Sequence, residues 1–288
     1  MRLLVVGAAG MLGHALGPAA RAAGHEVVER DIDSIDITDV AATRAIVSAD
    51  APQVVINLAA WTDVDGAEEH EDVALRVNGD GAGNLAAAAR EAGARIVQIS
   101  TDYVFPGDAH EPYVESDPTG PRSAYGRTKL AGEQAVAAAN PDHVIARTAW
   151  LYGAGGKNFV DTMLALGAER EEVRVVDDQV GCPTWTGHLA PALLTLAAGR
   201  ATGIFHAAGG GRCSWFDLAR AALEAAGATC RVVPTTTAEF PRPAPRPAFS
   251  VLATERGADA VHLPAWREGL AGFLAERADT TTTAGGPR

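Results

Sequence analysis

Two short patterns in this chain have the residue types to do chemistry. Tyr125-Gly-Arg-Thr-Lys129 sets a phenol and an ammonium four residues apart, on one face of a helix where the segment is helical. An ammonium beside a phenol favours the phenolate and brings its pKa down from about 10, giving a proton donor and acceptor usable near neutral pH. Upstream, Ser100-Thr101-Asp102-Tyr103 follows an apolar run. Thr101 then stands at a strand's carboxyl end, where open α/β sheets bind ligands, and its hydroxyl is placed to hold a substrate oxygen. The second pattern is Gly7-Ala-Ala-Gly10-Met11-Leu12-Gly13. One glycine permits a sharp strand-to-helix turn, one lets the backbone approach a pyrophosphate, and one lets the helix pack on the sheet. The helix start adds free N–H groups and partial positive charge for an anion. Each pattern alone is common. The order of glycine loop, strand-end threonine and YxxxK is what points to a nicotinamide dinucleotide with a proton-transfer group beside it.

The second strand ends on Glu29-Arg30-Asp31, beside the place of an adenine ribose. An acid such as Asp31 favours the free 2′-hydroxyl of NADH, and Arg30 favours the 2′-phosphate of NADPH. With both present, either cofactor stays open.

These groups need a frame, and the hydropathy pattern supplies one. Strands are predicted at 3–6, 26–29, 53–56, 95–100 and 143–147, with helices at 11–23, 40–49, 73–92 and 124–139. Such alternation means βαβ units and a Rossmann-type, doubly wound parallel sheet. We expect a nucleotide-binding domain over 1–155, with later elements returning to it, and a smaller, irregular α/β substrate domain over 156–278. Within the latter, helices are expected at 158–168, 189–198, 215–226 and 265–276, and extended segments at 173–176 and 203–207. Four prolines over 240–247 exclude regular structure there, and 279–288 reads as a disordered tail.

The whole chain has 288 residues, is 47% hydrophobic and 21% charged, and carries a formal charge of −12. That excludes a disordered chain, and the acidic balance argues against nucleic-acid binding and a basic membrane-surface role. Cys182, Cys213 and Cys230 are three and far apart, which fits neither a disulfide framework nor a zinc site and suits a reducing cytoplasm. The glycine-interrupted N-terminal run reads as a phosphate loop rather than a signal peptide, and no apolar stretch is long enough for a membrane span.

GAAGMLG, STDYVFPG, YGRTKLAGE, RTAWLYG and DQVGCPT resemble the extended short-chain dehydrogenase/reductases, and within them the dTDP-4-dehydrorhamnose reductase family, over residues 1 to about 277. The resemblance implies reduction of a sugar-nucleotide 4-keto group with NADPH or NADH. It implies Tyr125 as proton donor with Thr101 and Lys129 as its catalytic partners, Lys129 also bonding the nicotinamide ribose. The cofactor would lie on Gly7, Gly10, Met11, Leu12 and Gly13, near Asp31, Asp36 and Ile37, and along Leu58, Ala59 and Ala60. Thr101, Asp102, Tyr103, Trp150, Asn158 and Phe159 would meet the sugar nucleotide, and Arg246 its diphosphate. Related dehydratases place a glutamate where this chain has Tyr103, so an elimination lacks its acid. Glutamates that hold a dimer-bridging metal in some members are Ala15 and Gly187 here, so we expect no metal and favour a monomer. Reduction of another 4-keto sugar, or a non-catalytic regulatory subunit on the same fold, are the rival expectations.

Overall fold

The run Arg2–Val6 forms β1, and its alternation sets the two faces of the molecule. Leu3 and Val5 go to one apolar cluster and Leu4 and Val6 to another, all four buried, as a strand covered on both sides requires. The computed structural model describes residues 1–284, with side chains to Asp279. After β1 come α1 (Met11–Ala22), β2 (Glu26–Arg30), α2 (Val40–Asp50), β3 (Val54–Asn57), α3 (Gly66–Glu69), α4 (Glu71–Leu75), α5 (Ala82–Glu91) and β4 (Arg95–Thr101). The chain continues through α6 (Ala124–Ala139), β5 (His143–Thr148), β6 (Leu151–Tyr152), α7 (Phe159–Glu169), β7 (Glu172–Val176), β8 (Val180–Gly181), β9 (Thr184–Trp185) and α8 (Thr186–Ala198). It ends with β10 (Gly203–His206), β11 (Cys213–Ser214), α9 (Trp215–Ala225), β12 (Arg231–Thr235) and α10 (Trp266–Ala284).

Six strands form one parallel sheet in the order β2-β1-β3-β4-β5-β10. Leu12 and Leu16 of α1, with Leu189 and Leu193 of α8, cover the Leu3 face. Val47 of α2, Leu85 of α5 and Val136 of α6 cover the other. The chain leaves β1 towards one edge and returns at β3 on its other side. That reversal opens a crevice beyond the strands' carboxyl ends. The later elements bring short strand pairs, β6 with β9, β7 with β12 and β8 with β11, and their own apolar cluster around Tyr152, Leu218, Trp266 and Phe273.

The structure departs from the sequence reading in three places. The helix expected over 73–92 is broken into α4, a π-helical turn Arg76–Gly81, and α5. Asn78 explains the turn: its Oδ1 accepts from the Trp61 N–H at 2.8 Å and its Nδ2 donates to Thr128 Oγ1 at 3.0 Å. Second, β12 and the two-residue strands carry no period long enough to be read. Third, α10 runs to Ala284 rather than stopping before a tail at 279, while 285–288 lie outside the described residues.

Candidate active site

The crevice is a cavity of about 860 Å³. Its floor is the glycine loop, and the loop's three glycines are held for different reasons. Gly7 has φ +82°, and a Cβ there would lie 2.6 Å from Ala59 N. A Cβ at Gly13 would lie 2.2 Å from the Ala8 carbonyl oxygen. The fold itself therefore demands both. At Gly10 the nearest atom is the Gly7 carbonyl oxygen at 3.3 Å, and φ is −74°. A Cβ there would fill cavity space and little else. Gly10 is also the N-cap of α1, with no side-chain cap and no acid in the first turn. An uncapped helix start facing an open cradle suits a bound pyrophosphate, so the residues fit a dinucleotide.

Around the loop, Gly7, Gly10, Met11, Leu12, Gly13, Asp31, Asp36, Ile37, Leu58, Ala59 and Ala60 all line this cavity. Asp31 accepts from the Ala9 N–H at 2.8 Å and so braces the loop. Asp36 accepts from Thr38 N and Oγ1, bonds that hold its carboxyl below the usual range. Arg30, expected at the cofactor ribose, is elsewhere. Its guanidinium bonds both oxygens of Asp50, at 2.9 and 2.7 Å, and does not line the cavity.

At the other end lie Thr101, Asp102, Tyr103, Tyr125, Lys129 and Trp150. Ser123 caps α6 by accepting from the Gly126 N–H, which starts the helix so that Tyr125 and Lys129 share its inner face. A Cβ at Gly126 would lie 2.3 Å from the Tyr103 carbonyl oxygen, so this glycine lets α6 meet the strand-end turn. Tyr103 and Tyr125 pack edge to face at 5.6 Å. Thr101 Oγ1 donates to Asp102 Oδ1 at 3.0 Å.

The electrostatics differ from the simple phenol–ammonium expectation. Burial pushes Tyr125 up to about 12, the Asp102 charge adds to this, and only a hydrogen bond with Thr101 works the other way. Lys129 Nζ donates instead to the Ile99 carbonyl at 2.7 Å. Burial brings Lys129 down to about 8 against the pull of Glu133. Dryness, rather than the lysine, governs the phenol. Burial also lifts Asp102 to about 6, opposed by bonds from Ser250 and Thr101, and leaves its Oδ2 unbonded.

Other expected contacts are placed differently. Asn158 caps α7, accepting from the Asp161 N–H, and its Nδ2 donates to the Gly153 carbonyl. Phe159 packs on Trp215. Neither lines the cavity. Arg246 is paired with Asp65 at 3.0 Å, its Nη1 buried and unbonded. Missed by sequence reasoning were Ser100, Thr148, Trp61 and Trp215, all of which line the cavity. Trp215 stacks on Trp150 at 3.6 Å, and Trp150 holds a left-handed backbone at φ +48°. No motif flagged Trp215, whose place depends on a contact across 65 residues.

Residues 1–278 match the family model of the RmlD substrate binding domain. The chain belongs to this family. A dTDP-4-dehydrorhamnose reductase of Streptomyces griseus is 48% identical over 93% of this chain and 91% of its own length. A probable dTDP-4,6-dihydroxy-2-methyloxan-3-one 4-ketoreductase of Streptomyces antibioticus is 46% identical over 94% and 93%. The crystal structure of a dTDP-4-dehydrorhamnose reductase from Bacillus anthracis, in complex with NADP, superposes with TM-score 0.93 at 39% identity, covering 96% of this chain and 99% of that one.

Proposed function

We propose that this protein reduces the C4 keto group of dTDP-4-dehydro-6-deoxy-L-mannose to dTDP-L-rhamnose with NADPH or NADH. The observation that carries the reading is the convergence of Thr101, Tyr125 and Lys129 on the cavity whose floor is the glycine loop. The match to reductases of this activity supports it.

Gly10 to Gly13 and the start of α1 would hold the cofactor diphosphate, the Asp31 and Asp36 region its adenosine, and Leu58 to Ala60 its other flank. The reduced nicotinamide, when bound, supplies hydride to C4. Tyr125 supplies the proton. At neutral pH its phenol, lifted to about 12, is fully protonated, which is the state a donor must hold. An alkoxide forming at C4 is a stronger base than that phenolate, so the proton moves downhill. Thr101 orients the oxygen that receives it. The Lys129 ammonium, bonded to the Ile99 carbonyl, lends its charge to the phenolate left behind. Asp102 and Tyr103 face the sugar, and the Trp150–Trp215 stack walls it. Lys157 at the cavity rim, with Arg246, offsets the chain's negative charge for an anionic substrate. We infer further that the enzyme acts as a monomer in the cytoplasm.

NADPH and NADH absorbance, followed with dTDP-4-keto-6-deoxy-L-mannose, tests the activity directly. Oxidation of neither cofactor sinks it. The Streptomyces antibioticus relative favours a second reading, reduction of a different dTDP-4-keto sugar, and NMR of the product separates the two.

A further inference from the structure

The inner face of α6 carries a third polar group in line with Tyr125 and Lys129. Glu133 lies one turn beyond the lysine and is 3% exposed. Its Oε1 accepts from Ser100 Oγ at 2.5 Å and Arg147 Nε at 2.8 Å, and its Oε2 accepts from Arg147 Nη2 at 2.7 Å. Ser100 and Arg147 are themselves register partners across β4 and β5. One carboxylate therefore ties α6 to both strands where they deliver Thr101 and Thr148. Arg147 is 2% exposed, and its guanidinium sits 4.9 Å from the Phe105 ring centroid.

Such a pair is a poor way to add stability. Apolar residues of equal volume usually do as well, because two charges must be stripped of water. Its position is more informative than its energy. Lys129 is 4% exposed and would lose its proton readily in so dry a place. Of the groups packed against α6, Asp102 from the turn after β4 acts on Tyr125, and Arg147 from β5 is held by Glu133. The π-helical turn offers only neutral Asn78 inwards, with Arg76 and Asp80 exposed. On α4, Asp72 pairs with Arg76 and Glu71 with Arg127. The carboxylate whose charge acts on Lys129 is Glu133.

We propose that Glu133 is a positioning residue for the reduction: bridged to Ser100 and Arg147, it keeps the Lys129 ammonium charged and in register with Thr101. This rests on the reductase reading above. Burial drives Lys129 down to about 8 and Glu133 opposes that fall, in the direction the geometry requires.

The test is Glu133→Gln, which keeps the shape and removes the charge. Two readouts are followed against pH: kcat, and the dissociation constant of NADPH measured without sugar. In the parent, both worsen on the alkaline side as Lys129 deprotonates. In E133Q both limbs move down by about one pH unit, which is about a tenfold loss at a pH on that limb and little change below pH 7. Thermal melting reports whether the variant folds. Where Arg147 left without its partner prevents folding, the double variant E133Q/R147Q leaves no uncompensated charge and is expected to move both limbs in the same direction by a smaller amount, because the positive partner is lost too. Limbs unmoved from the parent's, in whichever variant folds, overturn the proposal. A parent that binds NADPH but oxidises it with no keto sugar sinks the function reading instead, and the binding limb still tests Glu133.

Discussion

Asp102 is 2% exposed, its Oδ1 accepts from Thr101, and the Ser250 side chain also favours its charged form. Burial raises its carboxyl to about 6, against about 4 in an unfolded chain. As pH rises from 4, the unfolded state gives up its proton first, so this group's contribution to stability falls between pH 4 and 6 and is flat above. Asp102→Asn is therefore expected to stabilise the protein at pH 7 by on the order of 2 kcal/mol, with the gain fading by pH 4. Urea unfolding at pH 4, 5, 6 and 7 checks this, and a gain that does not depend on pH would show that the charge is not the cause. The same substitution removes the carboxylate that helps to hold Tyr125 high. For the tyrosine itself, Tyr125→Phe keeps the ring against Tyr103 and removes the donor. Turnover is expected to fall about 10²- to 10⁴-fold with NADPH binding nearly unchanged. Near-parental kcat in that variant would remove Tyr125 from its role.

Between elements, the glycines around the site differ in what the fold asks of them. A Cβ at Gly132 would lie 2.1 Å from the Asn78 carbonyl oxygen, so α6 packs backbone to backbone on the π-helical turn. Gly132→Ala should destabilise by about 1–3 kcal/mol, although alanine in a free helix gains about 1 kcal/mol over glycine. Thermal melting decides which effect wins. Gly10→Ala is the contrasting case: Tm should hold, while NADPH affinity falls about tenfold, as expected for losing one or two amide contacts. Equal damage to Tm and affinity would place Gly10 with the structural glycines. The contrast also shows what was legible beforehand. The GxxGxxG spacing, the strand-end Thr101 and YxxxK were readable because loop, strand and helix are local. The turn at Arg76–Gly81 was not, because Asn78 takes its partners from Trp61 and Thr128, 17 and 50 residues away. Arg30 and Asn158 show a similar limit of pattern. Each has the right type for a ligand, yet each is spent on a nearby partner, Asp50 or the start of α7, that pattern alone does not reveal.

At the scale of the whole molecule, one carboxylate joins an early and a late stretch of the chain. Asp65, before α3, pairs with Arg242 and Arg246 and accepts from the Ala244 N–H at 3.1 Å. This carboxylate thus anchors the proline-rich segment 240–247, which has no regular structure of its own. Burial works against the Asp65 charge, but the Arg242 and Ala244 bonds and both arginine charges outweigh it and hold the carboxyl below its usual range. A depressed acid stabilises above its unfolded pKa, so this clasp is fully made at neutral pH and weakens as pH falls below about 4. Arg246, whose Nη1 is buried and unbonded, also acts electrostatically on Tyr103, which lines the cavity. Asp65→Asn should therefore free the segment without touching Tyr125 or the glycine loop. The expected outcome is faster hydrogen–deuterium exchange of residues 238–247 and a KM for the sugar nucleotide raised about tenfold, with kcat and NADPH affinity near parental. A fall in kcat with KM unchanged would mean that the clasp serves the chemistry and not the grip on the substrate.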